Sequence, residues 1–148
     1  NIMIIIDYAH TPDALKNILS SIDKIRTKNE NLLTIIGCGG DRDKKKRPKI
    51  GEVAAKFSSK VIFTSDNPRN EDPELIIEEM IRGVSPVDYK KTSIVIKRDE
   101  AISTAYKLSV PGDIVLIAGK GHESFQEIKG KKYPFNDLEY ARKIFTKT

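Results

Sequence analysis

Five short apolar runs rich in β-branched residues punctuate the chain: "IMIIID" at 2–7, "LLTIIG" at 32–37, "KVIFTSD" at 60–66, "SIVIKR" at 93–98 and "DIVLIAG" at 113–119. They are continuous rather than alternating, the pattern of strands covered on both faces. Helical patterns lie between them. Thr11 and Pro12 open "PDALKNILSSI", in which Ala14, Leu15, Ile18, Leu19 and Ile22 make one apolar stripe. Pro48 precedes "KIGEVAAKF", Asp72 and Pro73 open "PELIIEEMIRGV", and Asp99 opens "EAISTAYKL". Strand alternating with helix predicts an α/β three-layer sandwich on a largely parallel sheet of about six strands, joined by right-handed crossovers. After Gly119, "SFQEIKGKKYPF" predicts a small C-terminal hairpin turning at Gly130, and "DLEYARKIF" a closing helix. Strand order is not written in such patterns.

At 148 residues the chain suits one domain. Its start directly on a strand points to a domain boundary inside a longer protein. No apolar stretch approaches the roughly 20 residues that cross a bilayer, and "NIMIII" lacks the basic start of a signal peptide. A cytoplasmic protein without a membrane partner is expected. The lone Cys38 and the two histidines, His10 and His122, make a metal site improbable. Lys44–Lys46 with Arg47 form the densest part of a net charge of +5, but no aromatic residues interleave them and Trp is absent, which disfavours nucleic acid. Phosphorylated or carboxylated small molecules would use the same charge.

In open α/β sheets ligands gather beyond the carboxyl ends of the strands. The first run ends in "DYAHTPD", the second in "GCGGDRDKKKRP", the third in "SDNPRNE" and the fifth in "GKGHES". In the second loop, Gly37, Gly39 and Gly40 permit close backbone approach and Arg42 offers a planar fork to an anion; a plain glycine turn before a solvated basic helix start fits the same residues. The spacing is neither that of a Walker A loop nor that of a dinucleotide fingerprint. In "GKGHE", Lys120, His122 and Glu123 stand at the rim, and Glu123 can accept from an ammonium. Asp7 and His10 flank a helix start able to hold an anion, or else Thr11 simply caps that helix. In "SDNPR", Pro68 stiffens a loop presenting Asn67 and Arg69, either as a carboxylate clamp or as a turn with Pro at its second position.

Taken in order, "DYAHTPDAL", "GCGGDRDKKKRP", "TSDNPR" and "IAGKGHE" resemble the C-terminal domain of the Mur ligases, most closely the MurE type, over nearly the whole chain. The resemblance implies that residues 1–148 are the third domain of a three-domain, ATP- and Mg2+-dependent amide ligase of bacterial peptidoglycan synthesis. Such an enzyme adds meso-diaminopimelate to UDP-N-acetylmuramoyl-L-alanyl-D-glutamate. The P-loop, the magnesium ligands and the UDP-sugar site would belong to the missing domains, so the fragment alone is expected to be inactive. By the same resemblance Asp66, Asn67, Pro68 and Arg69 read the diamino acid, Arg42 is a second carboxylate contact, and Gly119 and Glu123 meet its ammonium end. Asp7 and His10 would line the ATP side. It assigns no general base. Arg42, Arg69 and Glu123 see only charged ends, so a near-isostere such as meso-lanthionine would satisfy them equally.

Competing readings are a receiver-type phosphoacceptor domain, a nucleic-acid module on the basic patch, and a MurF- or folylpolyglutamate-type synthetase. Asp7, Asp66 and Lys120 comply superficially with the receiver pattern. It also needs paired early acids and a late Lys-Pro, both absent here. "DNPR" argues against the other synthetases.

Overall fold

The computed structural model describes residues 1–27 and 29–146. Five parallel strands, β1 (Met3–Asp7), β2 (Leu32–Ile36), β3 (Lys60–Phe63), β4 (Thr92–Ile94) and β5 (Ile114–Ala118), form one sheet in the order β1-β5-β2-β3-β4. Helices α1 (Pro12–Ile25), α2 (Lys46–Phe57) and α3 (Pro73–Ile81) connect the first four strands, and α4 (Arg98–Leu108) returns the chain to β5. A right-handed crossover puts helices of opposite travel on opposite faces. Hence α1, α2 and α3 cover one face, while α4 and the final helix α5 (Asp137–Phe145) cover the other. An antiparallel hairpin, β6 (Phe125–Ile128) and β7 (Lys131–Pro134), precedes α5.

The continuous apolar runs are explained by this double cover. Leu32 and Ile36 of β2 face α1 and α2, whereas Leu33 and Ile35 face α4. Leu15, Leu19 and Ile22 bury the α1 stripe, each side chain contributing about 1.5–3 kcal/mol of transfer free energy. Thr11 caps that helix through Oγ1, which accepts from the Ala14 N–H at 3.2 Å, and Pro12 occupies its first turn.

The α/β sandwich and hairpin are as expected, with five strands in the sheet rather than about six. Two boundaries move. Helix α2 starts at Lys46, so Pro48 lies inside its first turn, where a missing N–H costs nothing. β4 ends at Ile94, and the last residue of its predicted run, Arg98, becomes the first turn of α4.

That shift has a cause. Arg98 is buried and its guanidinium joins four segments: Nε and Nη2 donate to the two carboxylate oxygens of Asp137 at 2.7 and 2.8 Å. Nη1 donates to the Ser65 carbonyl and Nη2 to the Ala118 carbonyl, both at 3.2 Å. Ser65 and Ala118 immediately precede Asp66 and Gly119, so one side chain ties both loop origins to α4 and α5. The Arg98 and Asp137 side chains are 0% exposed. Removing one partner strands the other charge, so Asp137→Ala is expected to lower the chain's unfolding free energy by about 3–5 kcal/mol. Replacing both residues together with apolar ones should cost less, as read from urea midpoints.

Candidate functional site

The loops after β1, β2, β3 and β5 enclose a cleft of about 310 Å³, the lower end of the range for small-molecule sites. One wall is the loop after β3, held by side-chain hydrogen bonds. Asn67 is buried; its Oδ1 accepts from Lys120 Nζ and from the Glu127 N–H, each at 2.9 Å, and its Nδ2 donates to Glu123 Oε1 at 3.1 Å. The Asp66 carbonyl accepts from Gln126 Nε2 at 2.6 Å. Burial lifts the Asp66 carboxyl above its ordinary range, against the opposing charges of Arg98 and Lys120.

Arg69 adopts φ of +52°, uncommon for a side-chain-bearing residue. Backbone bonds to hairpin strand β6 hold it there: the Arg69 N–H donates to the Glu127 carbonyl at 3.1 Å, and the Lys129 N–H to the Arg69 carbonyl at 2.8 Å. The turn expected with Pro68 second instead starts at Pro68, whose carbonyl accepts from the Glu71 N–H. The guanidinium donates through Nε to Glu127 Oε1 at 3.2 Å and through Nη1 to the Gly40 carbonyl at 3.0 Å. Two of its five N–H groups are thereby used. Three remain without a protein acceptor among the described residues, enough for a bidentate carboxylate.

The glycine loop after β2 lies backbone-to-backbone on this wall. Gly40 N–H donates to the Asn67 carbonyl at 2.7 Å, and a Cβ on Gly40 would sit 1.8 Å from the Pro68 carbonyl oxygen. No larger residue fits. Arg47, read from sequence as part of a solvated basic patch, is buried. Nη1 and Nη2 donate to the Glu71 carboxylate at 3.0 and 2.8 Å, Nη1 also to Glu79, and Nη2 to the Gly39 carbonyl. Lys44–Lys46 are exposed, as the solvated reading has them. Arg42 is exposed on the cleft, its Nη1 donating to the Asp41 carbonyl.

From β5 the chain turns at Gly119, whose φ of +111° favours glycine and whose added Cβ would stand 2.8 Å from Asp66 Oδ2. Lys120, expected at the rim, is buried: the Lys120–Glu123 pair and the Phe125 carbonyl draw its ammonium inward. Burial pushes the Glu123 carboxyl up, but the hydrogen bond and charge of Lys120 outweigh it and leave the group below its ordinary range. Glu123 Oε2 has no protein donor among the described residues. At the α1 end, His10 Nδ1–H donates to the Tyr8 carbonyl at 2.9 Å, and the Tyr8 and His10 rings meet edge to face.

The cleft therefore gathers Arg42, Asp66, Asn67, Arg69, Gly119, Glu123 and His10. Asp7, Pro68, the buried Lys120 and the exposed His122, all singled out from the sequence, do not line it. Asp7 turns back to accept from the Ala9 N–H at 2.8 Å, and Pro68 lines the opposite side of its loop. Gln126 and Glu127, which hold the wall, carried no sequence signal, because a hairpin strand reads the same wherever it docks. Cys38 also lines the cleft, but burial pushes its thiol up to about 12, so it is no nucleophile at neutral pH. Among the described residues no three His, Cys, Asp or Glu side chains converge to hold a metal, and no helix is long and apolar enough to cross a membrane.

Fold and cleft together define a doubly wound α/β domain with a charged cleft at its strand ends. Residues 1–121 match the family model described as Mur ligase, glutamate ligase domain, and the chain belongs to that family. It is 55% identical over 136 residues to the UDP-N-acetylmuramoyl-L-alanyl-D-glutamate–2,6-diaminopimelate ligase of Cytophaga hutchinsonii, covering 92% of this chain and 28% of that protein. Identity to the like-named ligase of Aquifex aeolicus is 48% over 141 residues, covering 95% of this chain and 28% of that one. A solved structure of a UDP-N-acetylmuramoyl-L-alanyl-D-glutamate–2,6-diaminopimelate ligase superposes with a TM-score of 0.90 at 41% identity, over 97% of this chain and 29% of that chain. The chain thus spans under a third of the length of these relatives.

The hydrogen bonds from Arg47, aided by the Asp41 N–H and the nearby charges, hold the Glu71 carboxyl at about 2. A carboxyl depressed in the folded state stabilises it fully above its unfolded value, and that contribution is lost as pH falls from about 4.5 through about 2. In an NMR titration Glu71 is expected to titrate near 2 in the unaltered chain, and clearly higher in Arg47→Met, where the Asp41 N–H and Lys44 remain.

Proposed function

We propose that this chain is the amino-acid-delivering domain of a longer, bacterial and cytoplasmic ATP-dependent ligase that adds meso-diaminopimelate to UDP-N-acetylmuramoyl-L-alanyl-D-glutamate. One observation carries the reading: Arg69 with three uncommitted N–H groups and Glu123 with an uncommitted carboxylate oxygen line one cleft from separate loops. A guanidinium and a carboxylate so placed suit a ligand with carboxylate and ammonium groups at its ends. The relatives' names supply such a ligand.

In this reading Arg69, supported by Arg42, pairs with the carboxylate that distinguishes diaminopimelate from lysine, and Glu123 accepts from its ammonium. Asp66, Asn67 and Gly119 shape the floor between them, Pro68 stiffens the loop from behind, and His10 and the α1 N-terminus face ATP with Asp7 behind them. The γ-carboxylate of the D-glutamate attacks the γ-phosphorus of ATP and ADP departs. The free amine of the clamped amino acid then attacks the acyl carbon, phosphate leaves with the C–O bonding pair, and the amine gives up its proton as the amide forms. This chain's share is positioning, since holding the amine against the acyl phosphate turns a bimolecular step into a local one. The P-loop and the magnesium ligands belong to the rest of the enzyme, so the 148-residue chain alone is expected to hydrolyse no ATP and form no amide.

Losing a charge-assisted pair costs about 1.5–3 kcal/mol. In the full-length ligase, Arg69→Ala is therefore expected to raise KM for meso-diaminopimelate by about 10- to 150-fold at that cost, with KM for ATP nearly unchanged. Equal rates with diaminopimelate and L-lysine in the unaltered enzyme would rule out the clamp.

A further inference from the structure

Lys120 has no place in the clamp just described, yet its ammonium meets two of the cleft's side chains and the start of β6. Its side chain is 0% exposed. The three N–H donors of its ammonium meet three acceptors: Asn67 Oδ1 at 2.9 Å, Glu123 Oε1 at 2.9 Å and the Phe125 carbonyl at 2.7 Å. With every donor committed, this ammonium has none left for a ligand.

What it can do is choose the state of its neighbours. A side-chain amide can sit either way round, and its partners decide. Lys120 and the Glu127 N–H both donate to one atom of Asn67, so that atom is the oxygen, and the nitrogen must face Glu123, to which it donates at 3.1 Å. Glu123 Oε1 is then held by two donors, and the rotation left to its carboxylate is small. The third bond, to Phe125, ties the same ammonium to the start of β6, whose Gln126 and Glu127 hold the loop carrying Arg69. Both poles of the clamp thus hang from one buried cation.

We propose that Lys120 is a positioning residue for diamino acid binding, setting the Asn67 amide and the Glu123 carboxylate through its buried ammonium. This rests on the reading that the cleft takes a diamino dicarboxylate. A lysine that merely supports the fold would, when replaced, weaken every function of the enzyme alike. A positioning lysine acts on one substrate.

The test is steady-state kinetics of the full-length ligase with each substrate varied in turn, for the unaltered enzyme, Lys120→Met, Lys120→Gln and Arg69→Ala. Met keeps the unbranched stem, one atom shorter, and removes every donor, while Gln restores two donors without the charge. The expected result is a KM for meso-diaminopimelate raised about tenfold or more by Met and less by Gln. KM for ATP and for the UDP-linked substrate should stay within about twofold. If Met does not unfold cooperatively, Gln decides by the same substrate selectivity. Unchanged KM for diaminopimelate, or an equal loss for all three substrates, would overturn the proposal, as would failure of both variants to fold. Arg69→Ala separates the two claims. If Arg69→Ala raises that KM while the Lys120 variants do not, only the positioning role falls; if Arg69→Ala also leaves it unchanged, the clamp itself falls.

Discussion

The cleft depends on the buried Arg98–Asp137 pair. Its four hydrogen bonds draw the carboxyl ends of β3 and β5 toward the amino ends of α4 and α5. Burying the two charges costs several kcal/mol per ion, which mutual attraction and added hydrogen bonds roughly offset. Its net contribution to stability is therefore modest beside the apolar cores on the two sheet faces. What it adds is geometry: the carbonyls just before Asp66 and Gly119 are fixed to one rigid planar group, so the loops they launch start from a shared reference.

Arg47 does the same on the opposite flank. It joins the glycine loop through the Gly39 carbonyl to Glu71 beyond the Asn67–Arg69 wall and to Glu79 on α3. Between these two anchors Gly40 lies against Pro68 with no room for a side chain. Arg69 inherits its left-handed backbone from this packing and from its bonds to β6. A guanidinium set this way loses little freedom on meeting a carboxylate, which is where preorganised sites gain affinity.

Much of this was legible in the chain, and the rest was hidden for definable reasons. Continuous apolar runs foretold strands covered twice, and Thr11, Pro12, Asp72 and Pro73 marked helix starts that the structure keeps. The candidate loops were found because they follow strands. Strand order was not available, since periodicity records burial and not neighbours. Arg47, Arg98 and Lys120 read as surface or strand-end cations, because each is drawn inward in part by a partner distant in the chain, 24, 39 and 53 residues away. The role of Gln126 and Glu127 was likewise invisible: their alternation says hairpin, while their contacts depend on where it lands.

The hairpin turn is only Lys129 and Gly130, both at positive φ, the two-residue connection whose twist suits paired strands. So short a link fixes the register opposite β7, pairing Glu127 with Lys132 and Ile128 with Lys131. Because strand side chains alternate faces, a slip of one residue would exchange the carboxylate beside Arg69 for the butyl group of Ile128. The side chain that meets Arg69 Nε is in this sense counted out by a two-residue turn, and a change in that turn's length would alter the partner of Arg69 while the cleft's own loops stayed the same.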